Sequence, residues 1–366
     1  MIVRALSVSR FRLPFRSPFA TAARLQQWRE GWIVELHFDS GDHGIGEASP
    51  LPGHGLAAGP PIAALVACLK AVLPASAASL QDLLAHEPAC ANRSALAFAL
   101  ETAVLDALAR ARGVGVASLL GTPRPAVPVN ATIGGLPAPE AAKAAGQAVA
   151  GGFRTVKLKV GTSTLQDDVR RVAAVRSAIG PDRTLRLDAN GAWNFPLAVE
   201  AIKALAPYQI ELLEQPVAAG QIEGWNALRG HGITLAADED VATPEAARRV
   251  IAADAADLLV LKPMVLGGLA VCRDIAIEAR ERGIGCFVTT TIDAGPATAA
   301  TLQLAAALPD DTPACGLATG TLLVADLLQT PLAVGGGVMP LPAEFGLGVT
   351  IDQTTLARYA FSDDIQ

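Results

Sequence analysis

Between residues 127 and 318 the chain repeats one pattern, a short apolar run rich in Val, Ile, Leu and Thr followed by a longer stretch with helical spacing. The runs are 127–133, 155–160, 184–188, 210–214, 233–238, 257–262, 285–291 and 314–318. Parallel strands need a crossover of about a dozen residues or more, and a helix supplies it most simply. Eight runs at intervals of roughly 25 to 30 residues therefore carry the rhythm of a parallel β/α barrel. A doubly wound open sheet is the competing architecture. It advertises a nucleotide with a Gly-x-Gly-x-x-Gly turn after its first strand, and here that turn reads Gly134-Gly-Leu-Pro137. The barrel is the favoured reading.

The flanks follow a different pattern. Ile2 to Val8 and Trp32 to Phe38 alternate as strands do, with a turn at Ser40-Gly-Asp42 and a Gly/Pro-rich loop over residues 44–53. From Pro61 to about Arg112 the spacing is helical, so the first 122 residues predict a compact α+β unit. The barrel is assigned to 123–330, and the tail 331–366, with short strands and glycine turns, is expected to pack back on the N-terminal unit.

Bulk properties exclude several classes of function. The chain is 51% hydrophobic and only 17% charged, yet its greasiest stretches are broken by Lys70 and Pro74 and by Lys262 and Pro263, so no membrane span is predicted. Charged residues near Met1, where a signal peptide needs an apolar core, argue against export and for a cytoplasmic protein. A net charge of −6 without a basic block argues against nucleic acid as a partner. The five cysteines are scattered, form no Cys-x-x-Cys pair, and read as reduced core residues. A homo-oligomer is compatible with the sequence, which does not specify one.

The chemistry lies where the predicted strands end. Lys157 and Lys159 share one face of an apolar strand, because residues two apart on a strand project together. Only six lysines occur in the chain, against 23 arginines, and lysine is the cation that can lose its proton and act as a base. Successive strands then end in Asp188 (followed by Asn190), Glu214, Asp238 (followed by Glu239 and Asp240) and Lys262. A strand-end Asp taken alone is as often a helix N-cap. Three carboxylates on adjacent strands repel one another unless a cation sits between them, and hard oxygen donors without His or Cys favour Mg²⁺ or Mn²⁺. Lysines on both flanks fit proton abstraction from a carbon next to a carboxylate, so the predicted partner is a small-molecule carboxylate substrate. Mutual repulsion and the metal's charge are expected to lower the lysine pKa. His54 in the Pro52-Gly-His54 loop is placed to face the pocket but reads better as a plain loop residue, and His231 in a Gly230-His-Gly232 turn as a surface loop residue.

Lys157-Leu-Lys159, Asp188-Ala-Asn190, Glu214-Gln-Pro216, Ala237-Asp-Glu-Asp240 and Leu261-Lys-Pro263 together resemble the enolase superfamily, within it the muconate-lactonizing-enzyme subgroup. The resemblance spans nearly the whole chain. It implies a (β/α)7β TIM-like barrel with an α+β capping domain built from the N-terminal region and the C-terminal tail. It implies Asp188, Glu214 and Asp238 as Mg²⁺ ligands, Lys159 as acid/base, Lys262 facing it across the substrate, and Lys157 assisting near the substrate carboxylate. Gly46-Glu-Ala-Ser-Pro-Leu-Pro-Gly53 and Cys315-Gly-Leu-Ala-Thr-Gly-Thr-Leu-Leu323 look like the corresponding segments of o-succinylbenzoate synthases. Those enzymes dehydrate 2-succinyl-6-hydroxy-2,4-cyclohexadiene-1-carboxylate on the way to menaquinone. Dipeptide epimerases typically carry an Asp-x-Asp after strand eight, where this chain has Leu317-Ala-Thr319. N-Acylamino acid racemisation or dipeptide epimerisation, with Lys159 and Lys262 as two bases, is the alternative. After strand seven the subgroup often shows a Ser/Glu-containing turn. Here it reads Thr289-Thr-Thr-Ile-Asp-Ala-Gly295, which makes Thr290 and Asp293 candidate substrate-side or supporting residues, along with Asn190 and Asp240.

Overall fold

The computed structural model describes residues 1–20, 25–54, 56–309 and 311–361. Two long strands, β1 (Ile2–Ala20) and β2 (Leu25–Phe38), with β3 (His43–Ala48) and the short β4 (Ala75–Ser76), form an antiparallel sheet in the order β3-β2-β1-β4. Helices Ile62–Ala71, Ala77–Ala85 and Ala91–Ala111 follow. The last of these is built for close approach. Ala95, Ala99, Ala103 and Ala107 recur every fourth residue on one buried stripe. Opposite them, a Cβ on Gly44 or Gly46 of β3 would come within 1.9 Å of the Ala103 carbonyl oxygen or 2.0 Å of that of Ala99. Glycine on the strand and alanine on the helix thus let the two backbones touch. The result is a cap whose sheet is seated directly on its own long helix.

The barrel begins after β5 (Ala126–Pro128). Strands β6 (Asn130–Ile133), β7 (Thr155–Lys159), β8 (Thr184–Asp188), β9 (Ile210–Glu214), β10 (Thr234–Ala237), β11 (Leu258–Leu261) and β12 (Gly285–Val288) pair in parallel, each with its sequence neighbour. The predicted eighth strand over 314–318 is reduced to single bridges, Val129 to Cys315 and Thr289 to Gly316. These two bridges still close the ring, with the Cys315 N–H donating to the Pro128 carbonyl at 2.8 Å and the Gly316 N–H to that of Val288 at 3.0 Å. The fold is therefore the barrel with a capping domain, not the open sheet.

Two expectations change. The segment between β9 and β10 carries only the 3₁₀ turn Ile222–Ala227 rather than an α-helix. Gly220, Gly224, Gly230 and Gly232 fall in this short connection and weaken helix propensity. Cys68 is exposed on Ile62–Ala71, whereas Cys90, Cys272 and Cys315 are buried, and all five cysteines are free. The tail contributes β13 (Val338–Pro340), which pairs with β5 beneath the barrel, and its end reaches the cap, where Phe11 bridges Ala360. Among the described residues no helix is long and apolar enough to cross a membrane.

Candidate active site

Parallel barrels present the C-terminal ends of their strands on one rim. Lys159, Asp188 and Glu214 are the last residues of β7, β8 and β9, while Asp238 and Lys262 directly follow β10 and β11. Register enforces the neighbourhood, since Lys159 pairs with Asp188 and Asp188 with Glu214 across adjacent strands. All five side chains are buried or nearly so, and Lys159, Asp188, Glu214 and Lys262 face a cavity of about 210 Å³ at the mouth of the barrel, with Asp238 just behind its wall, paired to Lys262. Its wall includes Lys157, Lys159, Asp188, Asn190, Glu214, Glu239 and Lys262 from the barrel and Leu51 to His54 from the cap.

Ion pairs knit the acids to the lysines. The Lys157 ammonium lies 2.7 Å from Asp188 Oδ2 and 2.7 Å from Glu214 Oε2. Lys159 Nζ donates to Asp188 Oδ2 at 2.6 Å and to Asn190 Oδ1 at 2.7 Å. Asn190 sits in the left-handed region at φ 45° and passes its Nδ2–H on to Glu239 at 3.0 Å. Across the ring, Lys262 pairs with Asp238. Counted around the ring, β7 and β11 stand four positions apart out of eight, so Lys159 and Lys262 reach the cavity from opposite sides.

The electrostatics follow from this arrangement. Burial would depress the Lys157 and Lys262 ammonium groups, but Asp188 and Glu214 raise the first above the ordinary lysine value, and Asp238 and Glu239 the second. At Lys157 and Lys262 the lowering expected from mutual lysine repulsion therefore does not arise from the chain's own charges, because each faces at least two carboxylates. Burial likewise pushes Glu214 up to about 8, reinforced by repulsion from Asp188. Burial acts the same way on Asp188 and Asp238, yet their lysine neighbours hold both well below the usual carboxylate range.

His54 corrects the sequence-based expectation. It is no plain loop residue, for its Nε2 lies 3.2 Å from Asp238 Oδ1 and 3.2 Å from Lys262 Nζ. If Nε2 accepts from the ammonium it cannot also donate to the carboxylate, so Asp238 Oδ1 is left as a buried oxygen without a donor. Glu239 Oε2 is a second such oxygen. Four carboxyl groups (Asp188, Glu214, Asp238 and Glu239) face three ammoniums, and the buried Glu214 keeps its proton up to about 8 for want of a further cation; with the orphaned oxygens this fits a hard divalent cation.

The remaining predicted residues take up different positions. Thr290 lines the cavity and shares a 2.7 Å hydrogen bond with Thr319. Asp240 lies behind the rim, accepting from Gln215 Nε2 at 2.8 Å and the Gly220 N–H at 2.7 Å. Gln215 in turn receives the Asp238 N–H at 2.9 Å, which fixes that strand end. Asp293 engages Arg29 and Thr291 and does not line the cavity. Glu239, Gln215, Arg29 and Glu47 had no assigned role beforehand. Gln215 and Glu239 lie within the Glu214-Gln-Pro216 and Ala237-Asp-Glu-Asp240 motifs and Glu47 within its Pro-rich loop, whereas Arg29 carries no signal in the sequence.

Comparison with known proteins agrees with this geometry. The mandelate racemase / muconate lactonizing enzyme N-terminal domain profile matches residues 4–121, and the enolase C-terminal domain-like profile matches 140–355. An o-succinylbenzoate synthase of Thermobifida fusca is 39% identical over 62% of this chain and 70% of its own. The L-Ala-D/L-Glu epimerase of Bacillus subtilis is 30% identical over 95% of this chain and 97% of its own. The solved, substrate-liganded structure of that epimerase superposes at a TM-score of 0.87, with 28% identity over 95% of this chain and 99% of its own. The N-succinyl Arg/Lys racemase of Bacillus cereus shares the fold at a TM-score of 0.90, with 24% identity over 99% of both chains. The chain belongs to the enolase superfamily, in its muconate-lactonizing-enzyme subgroup, and is an enzyme of that class.

Proposed function

We propose that this chain is a Mg²⁺-dependent o-succinylbenzoate synthase, dehydrating 2-succinyl-6-hydroxy-2,4-cyclohexadiene-1-carboxylate in menaquinone biosynthesis in the cytoplasm. The carrying observation is the charge of the cavity wall opposite the acids. Among the described residues, Thr289, Thr290, Thr291, Ile292, Thr319 and Leu322 supply hydroxyls and apolar surface there, and no carboxylate. Such a wall suits a keto-acid arm and offers no counter-ion to the ammonium of a dipeptide. The 39% identity to an o-succinylbenzoate synthase supports the same reading.

Asp188, Glu214 and Asp238 would hold the cation, which when bound neutralises negative charge developing on the substrate carboxylate. Lys159, oriented by Asp188 and Asn190, takes the proton from the carbon next to that carboxylate, and the electrons of the C–H bond pass into an enediolate. The opposed Lys262 ammonium stabilises the enediolate by its charge, and Lys157 draws in the carboxylate. Lys159 then returns its proton to the hydroxyl leaving on the same face, water departs, and the ring becomes aromatic. In this reading 1–122 caps the site, 123–330 performs the chemistry and 331–366 ties the two together.

A second reading, racemisation or epimerisation of an N-acylated amino acid or dipeptide, has one specific observation in its favour. The two lysines approach from opposite sides, as two bases require. One experiment separates the two. The purified protein with Mg²⁺ is given the cyclohexadiene substrate and, separately, N-succinyl amino acids in D₂O. Rapid aromatisation supports the synthase, and deuterium exchange with racemisation but no dehydration sinks it.

A further inference from the structure

The Asp293 that the strand-seven turn offers in place of a glutamate is held from the cap side. Arg29 on β2 is 5% exposed, and Glu47 on β3 and Asp293 are 0% and 1% exposed. Charges this deep are retained only where a specific set of partners satisfies them. Here the guanidinium fork divides its donors between two loops that are distant in sequence. Toward the cap loop, Nη1 donates to the Pro50 carbonyl at 2.8 Å and Nη2 to that of Ser49. Toward the barrel loop, Nε donates to the Ile292 carbonyl at 3.2 Å and Nη2 to Thr291 Oγ1 at 2.9 Å, with Asp293 Oδ1 at 3.5 Å. Both loops line the cavity, one through Leu51, Pro52, Gly53 and His54, the other through Thr289 to Ile292.

Two further features point the same way. Ile292 has φ 64°, a left-handed conformation that a β-branched side chain adopts only when its surroundings impose it. The imposing contacts are Arg29 on its carbonyl and Asp293 Oδ2, which accepts the Thr291 N–H at 3.2 Å. Glu47 adds a second clasp. Its oxygens accept the N–H groups of Ala294 at 2.9 Å and Ala297 at 3.0 Å, at the start of helix Gly295–Ala307, while Ser49 Oγ donates to it at 2.6 Å.

We propose that Arg29 is a positioning residue that latches cap loop 49–54 to barrel loop 289–293, making them one wall of the substrate cavity. Arg29 touches no reacting atom in this arrangement. It acts through Ser49, Pro50, Thr291 and Ile292, and so governs how the substrate arm is held rather than how the proton moves. The inference rests on the reading of this cavity as the active site, but not on which substrate enters it.

The test uses the full chain, wild type against Arg29→Lys, which keeps a charge and loses the fork, and against Asp293→Asn as the variant least disturbing to folding. Hydrogen exchange is read first, without any substrate. In both variants the amides of 49–54 and 289–293 are expected to exchange together at least about tenfold faster, while helix Ala91–Ala111 keeps its protection. With the substrate that the wild type turns over, KM is expected to rise at least about tenfold while kcat stays within about threefold. Unchanged exchange in both loops, loosening of one alone, or a fall in kcat that matches a global loss of protection overturns the latch. Absence of dehydration by the wild type would instead count against the synthase reading, and the exchange result would still decide the latch.

Discussion

At the scale of single residues the proposed mechanism turns on Lys159 Nζ, held at 2.6 Å from Asp188 and 2.7 Å from Asn190 at the end of β7. A positioned general base contributes about 10² to 10⁴ in rate. Lys159→Ala is therefore expected to lower kcat for the cyclohexadiene substrate by at least about 10³, measured below the variant's own thermal midpoint because Asp188 loses a buried partner. A variant keeping full activity would refute the assignment. The parallel substitution Lys262→Ala separates the two chemistries. If both lysines are bases, exchange of the α-proton in D₂O survives for one enantiomer of an N-succinyl amino acid and stops for the other. If Lys262 acts through charge alone, it slows every reaction of the enzyme together. His54 belongs to the same scale, and it shows what a sequence conceals. A lone histidine in a Gly/Pro loop has no periodicity to betray it, and its contact with Lys262 spans 208 positions of chain.

At the scale of elements, the β3 strand sets two expectations. Gly46 lies against the backbone of Ala91–Ala111, so Gly46→Ala would force its Cβ to within 2.0 Å of the Ala99 carbonyl oxygen. Overpacking of this kind costs about 1–3 kcal/mol or more, read as a fall in the thermal midpoint that is absent for Gly146→Ala, where a Cβ meets nothing and the backbone is not left-handed. Glu47 on the same strand is a pH reporter. Burial, reinforced by Asp293, raises its pKa to about 7 from 4.5, against the opposing bonds from Ser49, Ala297 and Ala294. A raised acid contributes stability that is fully present below pH 4.5 and is lost as pH rises through about 7. A shift of this size amounts to at most about 3 kcal/mol. Glu47→Gln should therefore flatten the decline of stability between pH 5 and pH 8 relative to wild type, as denaturant midpoints at each pH will show.

Legibility at this scale follows from geometry. The strand ends were readable because a barrel rim converts sequence order into adjacency, so Asp188, Glu214 and Asp238 had to be neighbours. Strand eight and the Ile222–Ala227 turn were readable only as positions in a rhythm. Their actual form depends on bridges and glycines that periodicity does not weigh. Arg29 and Glu47 were not readable as a pair with Asp293, because cap and barrel meet only in three dimensions.

At the scale of the whole molecule, cap, barrel and acid cluster should respond together to a divalent cation. The rim gathers four carboxyl groups against three ammoniums, Glu214 holding its proton up to about 8, with Asp238 Oδ1 and Glu239 Oε2 buried and without donors. Charge repulsion and unsatisfied oxygens both destabilise the folded chain, and a cation bound only by the folded state relieves both. Mg²⁺ at about 100 times its dissociation constant should stabilise folding by about 2.7 kcal/mol, read as a rise in thermal midpoint that EDTA reverses along with activity. Ca²⁺ is the informative control, because its longer bonds and higher coordination number suit this compact oxygen set less well. Asp238→Asn keeps the shape of the ligand but removes its charge, so it should lose most of the Mg²⁺-induced shift. Its metal-free midpoint should fall, because the buried Lys262 ammonium loses the charge of its carboxylate partner, so the Mg²⁺ shift is read against each variant's own metal-free value. A Mg²⁺ shift of wild-type size in Asp238→Asn would move the cation away from this rim, and the mechanism with it.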